Sequence, residues 1–133
     1  MESVGIHVRR GDYLNIPLYS GICDLPYYTR AIEYIKSKSK NPKFYIFSND
    51  MEWCKINLPV ENAVFVEANT GINSIFDMIL LSSCKYNIIA NSSFSWWGAW
   101  LNKNKKAVIA PTKWYNNKKR DAAVELSADW IRI

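Results

Sequence analysis

The sequence predicts a single α/β domain, a parallel sheet covered by helices on both faces, and three observations predict it. Short apolar strands alternate with helical segments along the chain. No hairpin signal separates one strand from the next. A length of 133 residues suits one hydrophobic core and not two. Residues 1–133 are therefore read as one domain.

Each element has its own signature. Val4, Ile6 and Val8 alternate with Gly5 and His7, the period of a strand. A loop holding Pro17, Gly21 and Asp24 leads to a helix from Leu25 to about Ser39. Asp24 is its N-cap and Pro26 sits in the first turn, where a missing N–H is harmless. Tyr28, Ala31, Ile32 and Ile35 form its core-facing stripe, and Lys36, Lys38 and Lys40 close it as a solvated end favoured by the helix dipole. Phe44 to Phe47 is an aromatic strand ending in Ser48-Asn49-Asp50, followed by a short helix over Met51 to Asn57 and a strand over Ala63 to Val66. Gly71 opens a helix over Asn73 to Cys84, with Ile75, Phe76, Ile79 and Leu80 along one side. Asn87 to Ala90 is a strand, Ser95 to about Asn102 a helix, and Ala107 to Ala110 a strand stopped by Pro111. Beyond Trp114 the pattern weakens, leaving Asp121 to Leu126 as a candidate helix and Trp130 to Ile133 as a candidate closing strand. The order is that of a Rossmann-like sheet.

Composition narrows the function. Six Trp, eight Tyr and five Phe, with no low-complexity tract, argue for a chain folded throughout. Seventeen Lys plus Arg against twelve Asp plus Glu leave +5, a mild bias toward anionic ligands concentrated in 36–43 and 103–120. Those basic segments carry no nucleic-acid-binding module and no base-stacking platform, so no nucleic-acid partner is expected. Cys23, Cys54 and Cys84 are isolated, with neither a disulfide framework nor zinc spacing, which suits a reducing cytosol. No run approaches ~18 apolar residues and no leader pattern precedes the first strand, so at most a peripheral contact with the inner face of a membrane is expected.

The chemistry-bearing segments gather where parallel strands end. Arg9 and Arg10 follow the first strand, and an arginine fork matches phosphate oxygens two at a time. The bland alternative is an internal Arg-Asp pair with Asp12. Gly11 permits a sharp turn beside a ligand. Asn91-Ser92-Ser93-Phe94-Ser95 stands between a strand and a helix, where hydroxyls and free N–H groups suit phosphate, or where a serine simply caps the helix. Trp96, Trp97 and Trp100 offer either a stacking surface or a core face, and the i, i+4 spacing favours the core. Asp77 interrupts an apolar helix; it faces water or meets a donor pair such as the N1–H and amine of guanine. His7, the single histidine, is a general base, a phosphate donor or a structural residue.

Together these stretches resemble the α-1,2-fucosyltransferases, the family-11 glycosyltransferases. His7-Val8-Arg9-Arg10-Gly11-Asp12-Tyr13 is similar to the HxRRGDY signature. Phe47 to Cys54, the block Asp77 to Leu101 and Ala110-Pro111-Thr112-Lys113-Trp114-Tyr115 follow in the family's order. The resemblance implies a GT-B-type enzyme of which this chain is the C-terminal, donor-binding half, with an N-terminal domain missing. It implies inverting, metal-independent transfer of L-fucose from GDP-β-L-fucose to the 2-hydroxyl of a galactose-containing glycan acceptor, with no cofactor. Arg9 would then contact the β-phosphate, Arg10 would brace the loop through Asp12, and His7 would order the diphosphate. Ser92, Ser93, Phe94 and Ser95 would line the donor phosphates, and Asp77 would read guanine. Arg9, His7 and Asp12 are the catalytic candidates, with the general base open between Asp12, His7 and a residue of the other half.

Two further readings compete. The chain is a non-catalytic GDP-sugar-binding module if the acceptor domain is lost. Alternatively Arg10-Gly11-Asp12 is an adhesion tripeptide, which a position directly after a buried strand argues against.

Overall fold

The structure, a computed structural model, describes residues 1–67 and 74–133. Its elements run β1 (Glu2–Val8), a 3-10 turn (Gly11–Asn15), α1 (Leu25–Lys38), β2 (Pro42–Ser48), α2 (Met51–Asn57) and β3 (Val64–Phe65). They continue with α3 (Ser74–Leu81), β4 (Tyr86–Ile88), α4 (Ser93–Leu101), β5 (Ala107–Ala110), α5 (Lys118–Ala122) and β6 (Ile131–Arg132). All the strand pairs are parallel and the sheet order is β3-β2-β1-β4-β5-β6, with Ile6 level with Ile46 on one side and Ile88 on the other. This is the Rossmann-like arrangement expected from the sequence. The chain runs outward from β1 to β3 and returns to β4 on the opposite side of β1. A crevice therefore opens where the loops after β1 and β4 diverge, at their carboxyl ends.

Side-chain alternation divides the interior by face. Val4, Ile6 and Val8 are fully buried and belong to one cluster with Tyr28, Ile32 and Ile35 of α1 and Cys54 of α2. Ile89, Val108 and Ala110 point to the other side and pack with Ala99 of α4, Trp114 and Trp130. α1 begins as predicted: Asp24 accepts a hydrogen bond from the Tyr27 N–H at 3.1 Å, and Pro26 lies in the first turn. On the second face the helices approach closely. A Cβ on Gly5 would lie 2.7 Å from Leu81 Cδ1, and one on Gly98 would lie 2.7 Å from Leu81 Cδ2. Leu81 of α3 is thus wedged between β1 and α4, and only glycine leaves room for it.

Several expectations need correction. α4 begins at Ser93 and not Ser95, because Ser92 takes the N-cap position, and β4 spans Tyr86–Ile88 in place of 87–90. α3 ends at Leu81, short of Cys84; the expected start at Gly71 and Asn73 lies outside the described residues. The last helix begins earlier than 121, because the Asn117 side chain accepts from the Arg120 N–H and caps it. Trp97 and Trp100, expected in the core, are about half exposed, at 48% and 49%, as are Ile75, Phe76, Ile79 and Leu80 of α3. Trp100 instead stacks flat on Trp96 at 5.0 Å. No described helix is long and apolar enough to cross a membrane.

Candidate active site

β1 delivers two arginines to the crevice and the fold treats them differently. After Val8 the backbone is clamped by Asn49, whose Oδ1 accepts from the Arg10 N–H at 2.8 Å and whose Nδ2 donates to the Arg10 carbonyl at 2.9 Å. Gly11 then turns the chain with φ +64, a conformation that disfavours any side chain. Arg10 lies over the Trp53 ring at 4.1 Å and pairs through Nε with Asp50 at 3.3 Å. Asp50 also caps α2 by accepting from the Trp53 N–H at 3.3 Å. Arg10, expected to pair with Asp12, instead pairs with Asp50.

Asp12 belongs to Arg9. Both Asp12 oxygens accept from one Arg9 nitrogen, at 3.1 and 3.0 Å, and the guanidinium sits 4.9 Å from the centre of the Tyr13 ring. The guanidinium holds the Asp12 carboxyl below its ordinary pKa. Arg9 Nε, however, is buried and has no hydrogen-bond partner among the described residues. A buried guanidinium donor left unsatisfied costs free energy.

His7, on the face of β1 that Gly5 shares, is 6% exposed, with its Nδ1 hydrogen-bonded to Ser95 Oγ and its ring 5.0 Å from Phe94. Burial, reinforced by the positive charge of Arg9, pushes its pKa down to about 3. The imidazole is thus neutral at physiological pH and joins β1 to α4. Ser95 is fully buried, and its hydroxyl also accepts from the Ala90 N–H at 3.2 Å. The Ser95 hydroxyl, expected at the donor, is thus engaged beneath the crevice by His7 and the Ala90 N–H.

The β4–α4 loop carries the remaining polar groups. Ser92 occupies the N-cap but makes no capping hydrogen bond, and its hydroxyl instead lies within reach of the Tyr13 phenol. Ser93 is exposed at the first position of α4, so its backbone N–H and hydroxyl face the crevice rim. Phe94 is half-buried against His7. Asp77 is half-buried in the first turn of α3, the helix that packs on β1 and α4. Arg9, Asp12, Ser92 and Ser93 thus gather around the loops after β1 and β4, with His7 and Ser95 beneath them.

Sequence reading missed what holds these loops. Asn91 is buried and donates through Nδ2 to the carbonyls of Tyr19, at 3.3 Å, and Trp114, at 3.1 Å, tying the loops after β1, β4 and β5 together. Asp121 accepts from the N–H groups of Trp114 and Tyr115. Asn116 donates to the carbonyls of Pro17 and Ser20, both at 2.8 Å. The only local signal for these ties was a density of Asn and Asp in loops.

The family model described as Glycosyl transferase family 11 matches residues 1–133. An alpha-1,2-colitosyltransferase of Escherichia coli is 42% identical, over 99% of this chain and 48% of its own length. The O-antigen biosynthesis glycosyltransferase WbnK of Escherichia coli is 39% identical, over 99% of this chain and 45% of its own. Galactoside alpha-(1,2)-fucosyltransferase 1 of Bos taurus is 35% identical, over 74% and 29%. The chain spans about half the length of the bacterial relatives. Since the matched stretch carries both the arginine loop after β1 and the serine loop after β4, and the family match runs from end to end, this chain belongs to glycosyl transferase family 11.

Proposed function

We propose that the chain is the donor-binding half of an inverting, metal-independent α-1,2-glycosyltransferase that moves L-fucose from GDP-β-L-fucose to the 2-hydroxyl of a galactoside. The observation that carries the reading is the Arg9 guanidinium, one-third exposed at the topological switch point and with no partner for its Nε among the described residues, beside serines not used for capping. The names of the relatives, an alpha-1,2-colitosyltransferase and an alpha-(1,2)-fucosyltransferase, support a deoxyhexose as the transferred sugar.

In this mechanism Asp12 holds the Arg9 guanidinium ready, and the donor diphosphate takes up its unused hydrogen-bonding capacity. As the sugar–phosphate bond breaks, the ring becomes oxocarbenium-like and negative charge collects on departing GDP. A preorganised guanidinium stabilises that charge, and loss of one such donor costs about 10²–10³ in rate. The hydroxyls of Ser92 and Ser93 add hydrogen bonds to the phosphates, and Asp77 accepts from guanine. His7 stays neutral and sets the height of α4 against β1. With Asp12 paired to arginine and His7 held at a pKa of about 3, both are weak proton acceptors. The acceptor proton then goes to a group on the other half of the enzyme.

Calorimetric titration of the chain with GDP, before and after Arg9→Ala, tests the donor site. Binding that the substitution weakens at least tenfold is expected, and unchanged affinity removes Arg9 from the phosphate. A second reading rests on length alone: a chain spanning about half of its bacterial relatives binds the donor without turnover. Radiolabelled GDP-fucose with lactose separates the two, because robust transfer by the isolated chain eliminates the binding-only module.

A further inference from the structure

The anion site has two flanks. On the β1 side stands α3 with Asp77, and on the β5 side a cavity of about 220 Å³ opens. It is lined by Tyr13, Tyr19, Asn91, Trp96, Trp114 and Tyr115, with Ser93 at the lip. Tyr13 and Tyr19 stack at 4.5 Å, and Tyr19 meets Tyr115 at 5.7 Å. Trp96 comes from α4, and Tyr19, Trp114 and Tyr115 from loops that Asn91 and Asp121 pin through the backbone, so the cavity is preformed. Two of its members also belong to the anion site: Ser93, and Tyr13 under the Arg9 guanidinium. A ligand whose charged group rests on Arg9 and Ser93 can therefore place its next group here.

The chemistry of the walls decides which end of the donor enters. No lining residue carries a carboxylate, the group that takes the paired N–H donors of guanine two at a time. Tyrosine and tryptophan faces instead match the C–H face and methyl group of a deoxy sugar, while phenol and indole edges remain for its hydroxyls. The volume lies below the range of drug-sized pockets and suits a single ring. We infer that this cavity receives the 6-deoxy pyranose of the nucleotide-sugar donor, with its methyl and C–H face against Tyr19 and Tyr115. The inference rests on the proposed reading of Arg9 as the diphosphate site, and it adds residues that recognise the sugar being moved.

Saturation-transfer NMR with GDP and GDP-fucose on the chain, and on Tyr19→Leu and Tyr115→Leu, tests it. Leucine keeps bulk and removes the ring, and retained GDP affinity certifies that each variant folds. In the unsubstituted chain the fucose methyl should receive strong saturation. Each variant should lose the affinity gain of GDP-fucose over GDP by about three- to tenfold, the scale of one aromatic contact, while GDP binding stays within twofold. Arg120→Ala, at the wider hollow behind Trp96, should change neither. Unaltered methyl saturation in both leucine variants overturns the inference and leaves the diphosphate site standing. Loss of guanine saturation in place of methyl saturation overturns it by assigning the cavity to the base. Failure of the unsubstituted chain to bind GDP removes the diphosphate reading itself, and the inference with it.

Discussion

The two faces of the sheet are made by the same strands and do different work. Toward α1 and α2, β1 presents Val4, Ile6 and Val8 to a continuous apolar core. Toward α3 and α4 it presents Gly5 and His7, and the packing there is partly polar. Asn87 donates to the Leu81 carbonyl at 2.7 Å, Asn102 donates to Asn87 Oδ1 at 2.8 Å, and His7 meets Ser95. Apolar side chains on the outer sides of these helices, Ile75, Phe76, Ile79, Leu80, Trp97 and Trp100, remain about half exposed. One face stabilises the domain. The other ties β1 to α4 through His7, Ser95 and the wedge of Leu81.

The sharpest way to break this contrast is to truncate each face in turn. Ile32→Ala removes a fully buried side chain from the apolar face and should destabilise the fold by about 2–5 kcal/mol, read by urea denaturation. GDP affinity per folded molecule should not move, because Ile32 belongs to the apolar cluster of the face away from α4. A parallel loss of affinity would show that the two faces are not separable.

Gly5→Ala probes the other face. The added methyl would meet Leu81 at 2.7 Å, and overpacking of this kind costs about 1–3 kcal/mol. Because Leu81 also touches Gly98, the strain should reach α4 and weaken GDP binding as well as stability. Combining it with Leu81→Val should recover part of both losses. If the double variant is no better than the sum of the single ones, the wedge is not what couples β1 to α4.

His7 gives the second face a pH signature that the first lacks. Its folded pKa of about 3 lies below the unfolded value of 6.5, so between those pH values the unfolded chain binds a proton that the folded chain refuses. Stability should be unaffected by this group above pH 6.5 and should fall as pH drops below it, by up to about 1.4 kcal/mol per unit. Because His7 is the single histidine, denaturation between pH 6.5 and 5 isolates it from the carboxyls. His7→Asn, which keeps a polar atom near Ser95, should flatten the slope; a slope that persists assigns the effect elsewhere.

Much of the first face was legible in the sequence, and less of the second. The stripe of α1, the Asp24 cap and the bounds of α2 and β5 follow from local rules: apolar period, capping chemistry and proline. The arginine and serine loops were also visible, because a parallel sheet brings strand ends to one edge. Their division of labour was not. Arg10 finds Asp50 across 40 positions and His7 finds Ser95 across 88, contacts that only the assembled sheet creates. Nor did tryptophans spaced for burial reveal that Trp97 and Trp100 stay half exposed. Periodicity identifies a common side of a helix and says nothing of what lies against it.

That last distinction yields the smallest effect. Ile79 and Leu81 are two residues apart on α3, both aliphatic and indistinguishable by composition, yet Ile79 is 53% exposed and Leu81 is fully buried. Ile79→Ser removes a side chain that stays half exposed in the fold, so stability should shift by only about 1 kcal/mol. Leu81→Ser should lose several-fold more, since it empties the wedge between Gly5 and Gly98 and leaves a hydroxyl there without water. Equal losses at the two positions, measured by the same denaturation, would mean that the outer side of α3 is already covered in solution, and the contrast between the faces would then lie in packing partners and not in burial.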